Sequence, residues 1–215
     1  MDRQTANVFD VSAVADWRRR VAEMYAGVRS VPNHGMQAWQ GWRAIRDDLM
    51  KTHAASPLSG DQQATFIELD YFDYDPALRF LVDTTKPDDR SPVVISLVDD
   101  DKFVIEPALV TSGLKSTLGG ELTIYWVAGY GGGLFLPFAD PTNQIETYAG
   151  GRYLIDSIKG ADHGNTEDGR LILDFNFTYN PSCAYSPRRS CPLATEKNRL
   201  PMAVLAGEKH TRENV

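Results

Sequence analysis

From about residue 66 onward, apolar residues recur at every second position in nine short runs, and turn signals separate most of them. The runs fall at 66–71, 78–83, 93–97, 103–110, 121–127, 134–138, 152–156, 170–177 and 200–205. Lys86-Pro87-Asp88-Asp89, Asp99-Asp100-Asp101, Gly119-Gly120, Gly131-Gly132-Gly133, Gly150-Gly151 and Gly164-Asn165 punctuate them. A period of two marks strands with one face inward. Connections this short hold antiparallel neighbours and leave no room for the crossover helices of a parallel sheet. The pattern therefore predicts an antiparallel β-barrel or sandwich.

Ahead of it the period is helical. Val14, Trp17, Val21, Met24, Tyr25 and Val28 lie at three- and four-residue spacing and predict a helix over 11–28. Trp39, Trp42, Ile45 and Leu49 predict a second over about 37–52. Ser59 and Gln62 have capping-box spacing and predict one more short turn. The chain is read as α+β: an N-terminal helical segment (1–58) with a β domain (59–215), the two forming one compact unit. An isolated helix of this length is marginal in water. The first helix is thus expected to pack on the β domain or on a second copy, which makes a homodimer an expected partner.

Net charge is −7, and residues 51–180 carry 20 acids against 9 bases. That field repels phosphate backbones, so no nucleic-acid partner is expected. Arg188-Arg189 is read as a solvated turn. No run approaches the roughly 20 apolar residues of a membrane span, so no membrane partner is expected. The opening residues lack the apolar stretch of a secretory signal, which points to a cytoplasmic location.

The densest polar grouping is LDFNFTYNPSCAYSPRRSCP, residues 173–192. Asp174 and Asn176 share one face of the run over 170–177, where such residues are uncommon. They either face a ligand or tie down the turn at Asn180-Pro181. In the second case Asp174→Asn is expected to cost about 2–4 kcal/mol. Cys183 and Cys191 are the only cysteines. Seven residues separate them and no histidine spacing accompanies them, so no metal site is predicted and both are expected reduced. The neighbouring arginines could support a thiolate at Cys183. Arg152 follows Gly150-Gly151 at the head of a strand. It is read as an anion clamp or as half of a buried ion pair with Asp140, Asp174 or Glu208, the last two favoured. Glu208 continues the alternation Leu200, Met202, Val204, Ala206 unless Gly207 carries a bulge.

These blocks resemble a known family. WRAIRDDLMKTHAASPLS (42–59), LFLPFADPTNQIETYAGGRYL (134–154), LDFNFTYNPSCAY (173–185), CPLATEKNRLP (191–201) and AGEK (206–209) are similar to the bacterial and archaeal family called domain of unknown function 1684. The resemblance spans about residues 39–209. It implies no activity. It singles out Asp140, Thr147, Tyr148, Tyr179, Asn198 and Arg199 beside the residues above, and Tyr153 stands in its motif Gly151-Arg152-Tyr153-Leu154. It also marks departures: Gln144 where a turn glycine is usual, Phe177-Thr178 for an Arg-Ala pair, and Ala194-Thr195 for prolines.

The resulting expectation is a small-molecule-binding protein, or an enzyme on a small polar or anionic metabolite. Asp174, Cys183 and Glu208 are the catalytic candidates. Arg152, Tyr153, Asn176, Tyr179, Asn180, Asn198 and Arg199 are the ligand-binding candidates. No cofactor is assigned; the strand pattern permits a flavin-binding split barrel, but no motif supports one. The alternatives are a binding module without chemistry and a structural or interaction protein.

Overall fold

The structure is a computed structural model, described here for residues 10–31, 35–96, 102–187 and 189–210. The turn at Asp99-Asp100-Asp101, His34 and Arg188 lie outside the described residues. Helix α1 (Val11–Ser30) starts where the Asp10 carboxylate accepts from the Ser12 and Ala13 N–H groups. Helix α2 (Met36–Thr52) ends at His53. Ala55 N–H donates to His53 Nδ1, leaving Nε2 to donate to Asp16 Oδ2 (3.1 Å) and tie the end of α2 to α1. Helix α3 (Gly60–Thr65) carries the capping box expected of Ser59 and Gln62.

Seven antiparallel strands follow: β1 (Arg79–Thr85), β2 (Val93–Ser96), β3 (Lys102–Ser112), β4 (Thr123–Val127), β5 (Gly133–Phe138), β6 (Arg152–Asp156) and β7 (Leu171–Asp174). Their order is β6-β5-β4-β3-β1-β7, with β2 beside the first half of β3. Two register shifts bend the sheet, between Pro107 and Leu109 in β3 and between Leu136 and Pro137 in β5. Proline has no N–H for the ladder, and bulges are where sheets tolerate it. The curl brings β6 round to the chain just past β7. There Tyr153 and Tyr179 exchange two backbone hydrogen bonds (2.9 and 3.1 Å), nearly closing a barrel.

Ile124, Leu136, Phe138, Leu154, Leu173 and Phe175 fill the interior. A second apolar layer lies between helices and barrel, where Met24, Tyr25, Val28, Trp39 and Trp42 meet Tyr71, Phe177 and Tyr185. This is the packing predicted for the first helix. On α2 Trp39, Trp42 and Leu49 are buried as expected, but Ile45 is 44% exposed and Arg46 beside it lies on the inner side.

Three expectations about elements need correction. The run 66–71 forms no strand, because Leu69 N–H donates to Asp47 Oδ1 (3.0 Å) and only its end, at 70–72, pairs with 207–209. The run 200–205 forms no strand: Leu200 N–H donates to Ala139 O (2.8 Å), the chain then bends at 201–202, and Met202 breaks the alternation at 53% exposure. The run 170–177 is a strand only to Asp174; the Asp174 carboxylate then accepts Asn176 N–H and turns the chain through a 3₁₀ turn over Phe175–Phe177. A short helix α4 (Lys115–Leu118) went unread. Its start is held by Glu121, which accepts from the Gly113, Leu114 and Lys115 N–H groups at 3.0–3.1 Å.

Gln144 has φ +68, the only positive value at a non-glycine among the described residues. It is the position where the family resemblance expects glycine. Left-handed backbone costs a side-chain-bearing residue roughly 1–2 kcal/mol. Gln144→Gly should therefore raise stability by about 1 kcal/mol in denaturant unfolding, net of glycine's greater freedom when unfolded. A loss would mean that the glutamine side chain supports the turn.

Candidate functional site

Arg152 is fully buried, at the start of β6. Its guanidinium donates to Asp140 Oδ2 (2.8 Å), to Val204 O (3.0 Å) and to Ala206 O, and lies 5.1 Å from the centre of the Phe138 ring. A buried partner was expected among Asp140, Asp174 and Glu208; it is Asp140, not either of the two favoured. The guanidinium takes up the carbonyls of Val204 and Ala206, which a neighbouring strand would otherwise satisfy. Burial pushes the Arg152 pKa down, and Asp140 opposes this. In this arrangement Arg152 faces protein.

Asp174 and Asn176 form a second closed knot. Asp174 Oδ1 accepts from Asn176 N–H (3.1 Å) and Nδ2 (2.8 Å). Asn176 pairs with the Asp75 backbone through two 2.8 Å bonds, and its carbonyl accepts from Trp39 Nε1. Asp174 Oδ2 has no hydrogen bond among the described residues, and Arg79 stands 4.0 Å away. Burial pushes the Asp174 carboxyl up to about 6. Asn198 ties β4 to β5 through the Thr123 and Pro137 backbones. Tyr153 OH donates to Pro192 O (2.6 Å). Arg199 lies at the surface, paired with Glu196 (3.0 Å).

Glu208 is different. It is fully buried on the chain segment that pairs with 70–72, and Gly207 before it has φ +76. A Cβ on Gly207 would stand 1.9 Å from Thr178 Oγ1, so only glycine fits the turn that aims Glu208 inward. Glu208 Oε2 accepts from Arg46 (2.7 Å) and Asn180 N–H (3.0 Å). Arg46 also donates to Tyr71 OH (3.1 Å) and is sandwiched by Trp42 and Tyr179, at 5.1 and 5.0 Å from the ring centres. Burial pushes the Glu208 carboxyl up, against the pull of Arg46. Glu208 Oε1 has no hydrogen-bond partner among the described residues.

That residue lines a cleft of about 610 Å³ between α3, the segment 66–70, Tyr185 and residues 208–210. Tyr185 OH is likewise buried with no hydrogen-bond partner among the described residues. Leu58, Phe66 and Leu69 give the cleft apolar wall. Asp61, Glu68 and Asp70 give it carboxylates, and Lys209 and His210 are its basic groups. Burial pushes the His210 pKa down, which keeps the ring neutral at pH 7.

Cys183 and Cys191 are unbonded but adjacent, with Cys183 N–H donating to Cys191 Sγ (3.3 Å) and Tyr148 OH to Cys183 Sγ (3.6 Å). The residue candidates thus scatter: the Arg152 and Asp174 knots, the backbone ties of Asn198 and Tyr153, Arg199 at the surface, Glu208 at the cleft with Asn180 and Tyr179 behind it, and the thiol pair. Sequence reading missed Arg46, Tyr71 and Tyr185. Arg46 was within reach, since it follows Trp42 by four residues and shares its helical face. Nothing in the sequence pairs it with residue 208.

Among the described residues no helix is long and apolar enough to cross a membrane. The family model for DUF1684, described as a protein of unknown function, matches residues 64–209. That span starts later than the likeness read from the sequence, which begins near residue 39. No curated protein matches the chain. The solution NMR structure of an uncharacterized protein from Haloarcula marismortui is 32% identical, covering 80% of this chain and 92% of that one, with a TM-score of 0.56.

Proposed function

The chain belongs to the DUF1684 family of proteins of unknown function, and from its own geometry we propose that it binds a small polar molecule in the cleft walled by Glu208. One observation carries the reading. Glu208 lines the cleft, and its fully buried carboxylate has one oxygen engaged by Arg46 and Asn180 and the other, just beneath the surface, without a hydrogen-bond partner among the described residues. An unsatisfied buried acceptor costs about 1–3 kcal/mol. A ligand donor reaching Glu208 Oε1, with an acceptor for Tyr185 OH, would recover that cost.

The lining favours a neutral or cationic ligand over the anionic one that Arg152 suggests in the sequence. Among the described residues four carboxylates border the cleft, and Lys209 is the one charged base there. Phe66, Leu58 and Leu69 suit a ligand with an apolar body and one polar head. A structural role fits the Arg152, Asp174 and Asn198 knots, whose hydrogen bonds run to neighbouring segments of the fold.

Titrating ¹⁵N-labelled full-length protein with a panel of small amines, amides and carboxylates tests this. Shifts should cluster at residues 61–70, 185 and 208–210, with amines and amides ahead of carboxylates. Shifts confined to residues 144–149, or none at all, would move the site or remove it. Tyr185→Phe deletes an unpartnered buried hydroxyl. It should leave the free protein as stable or up to about 1 kcal/mol more stable while weakening the ligand found. A destabilised variant with unchanged affinity would make Tyr185 a packing residue.

A further inference from the structure

We infer that Cys183 and Cys191 are a redox dithiol oxidised by hydroperoxides, with Cys191 the attacking sulfur and Cys183 the resolving one. This site is separate from the Glu208 cleft. The 3₁₀ turn over Ser182–Ala184 points the Cys183 N–H at Cys191 Sγ, 3.3 Å away. Both residues are half-buried, so a small oxidant can reach them. A bulky peptide disulfide would be hindered.

The surroundings make the two sulfurs unequal. The neighbouring Cys183 side chain lowers the Cys191 pKa, and the Cys183 N–H at 3.3 Å from its sulfur and the positive field of Lys159 act in the same direction. Cys183 is held up by its thiol bond to Cys191 and by burial, while Tyr148 OH donates to it. Tyr153 also feels the field of the pair, and its hydroxyl is occupied by Pro192 O. The thiolate form is the nucleophile, so the asymmetry assigns the first step to Cys191.

The chemistry balances. The Cys191 thiolate attacks the distal peroxide oxygen and breaks the O–O bond. The leaving alkoxide takes a proton, so Cys191 becomes a sulfenic acid and the hydroperoxide an alcohol, or water from hydrogen peroxide. Cys183 then attacks the sulfenic sulfur. An S–S bond forms, and the hydroxyl leaves as water with the Cys183 proton. The thiols lose two electrons, and the peroxide gains them. Tyr148 OH stabilises the Cys183 sulfur as it gives up its proton.

The test treats reduced full-length protein with stoichiometric hydrogen peroxide at pH 7. The expected product contains a Cys183–Cys191 cross-linked peptide, lacks two hydrogens and both free thiols, and reverts with dithiothreitol. Cys183→Ser should stop at a sulfenic acid on Cys191 that dimedone traps. Cys191→Ser should slow peroxide consumption at least about tenfold. In the native protein, iodoacetamide should label Cys191 first, with a pH midpoint below the ~8.5 of a free thiol. Glutathione disulfide should react more slowly than the peroxide. Cys183 labelled first, cross-links only between chains, reaction with glutathione disulfide alone, or thiols that outlast free cysteine under the same peroxide would each overturn the assignment.

Discussion

Replacing Asp140 with alanine should lower the stability of the fold by about 3–5 kcal/mol. The Asp140 and Arg152 side chains are both fully buried, and their contact is 2.8 Å. Burial already pushes the Arg152 pKa down, and the Asp140 carboxylate opposes it. Without the carboxylate, a buried cation is left with the carbonyls of Val204 and Ala206 as acceptors. Asp140 Oδ1 also accepts from Thr142 N–H (2.8 Å), so the turn into 140–147 loosens as well. For a chain of this length the loss corresponds to a fall in Tm of about 10–15 °C. Removing both partners, Asp140→Ala with Arg152→Met, should cost less than Asp140→Ala alone, because no unpaired charge remains. The pair is dry, so added salt should not reproduce the effect. A loss under about 1 kcal/mol would mean that Arg152 reaches water once Asp140 is gone.

Asp174→Asn is expected to act with the opposite sign at neutral pH. Burial raises the Asp174 carboxyl to about 6, from an ordinary 3.8. The folded state therefore holds its proton more tightly than the unfolded chain. Its contribution is most favourable below about pH 4 and is lost as pH rises through about 6. The displacement corresponds to about 3 kcal/mol over that window. Asparagine keeps the oxygen that accepts from Asn176 and carries no charge. The variant should match the wild type near pH 4 and exceed it by about 1–2 kcal/mol at pH 7, with a flatter pH profile between. Urea unfolding of both proteins at pH 4, 5.5 and 7 measures this. A cost of 2 kcal/mol or more at pH 7, the size expected from the sequence, would show that Arg79 at 4.0 Å holds the carboxylate more strongly than burial opposes it.

The elements that were legible share a physical cause. Helix α1, the capping box at Ser59, and strand β6, read as 152–156 and found at Arg152–Asp156, are set by periodicity and caps that act within one turn or one strand. The failures occur where a distant side chain replaces a local partner. The alternating run 200–205 reads as a strand, but the Arg152 guanidinium takes the carbonyl of Val204 and that of Ala206 just past it. The run 66–71 reads as a strand, but Asp47 on α2 takes the Leu69 N–H. The run 170–177 has two alternating faces, and both are buried, so alternation could not place its end.

The candidate site divides in the same way. Residue types and density in the sequence were enough to mark Arg152, Asp174, Glu208 and the two cysteines as residues needing a reason. That follows from general costs: a charge or a polar group away from water must find a partner. Which partner it finds was decided by the curl of the sheet and the seating of the helices. Arg46 meets Glu208 across 162 positions of chain, and Arg152 meets Asp140 across 12. Local sequence determined the helices, the strand periods and the turns, because those forces act within a few residues. Only the tertiary structure decided which carboxylate closes a knot and which lines a cleft, because desolvation and pairing depend on what else is packed within a few ångströms.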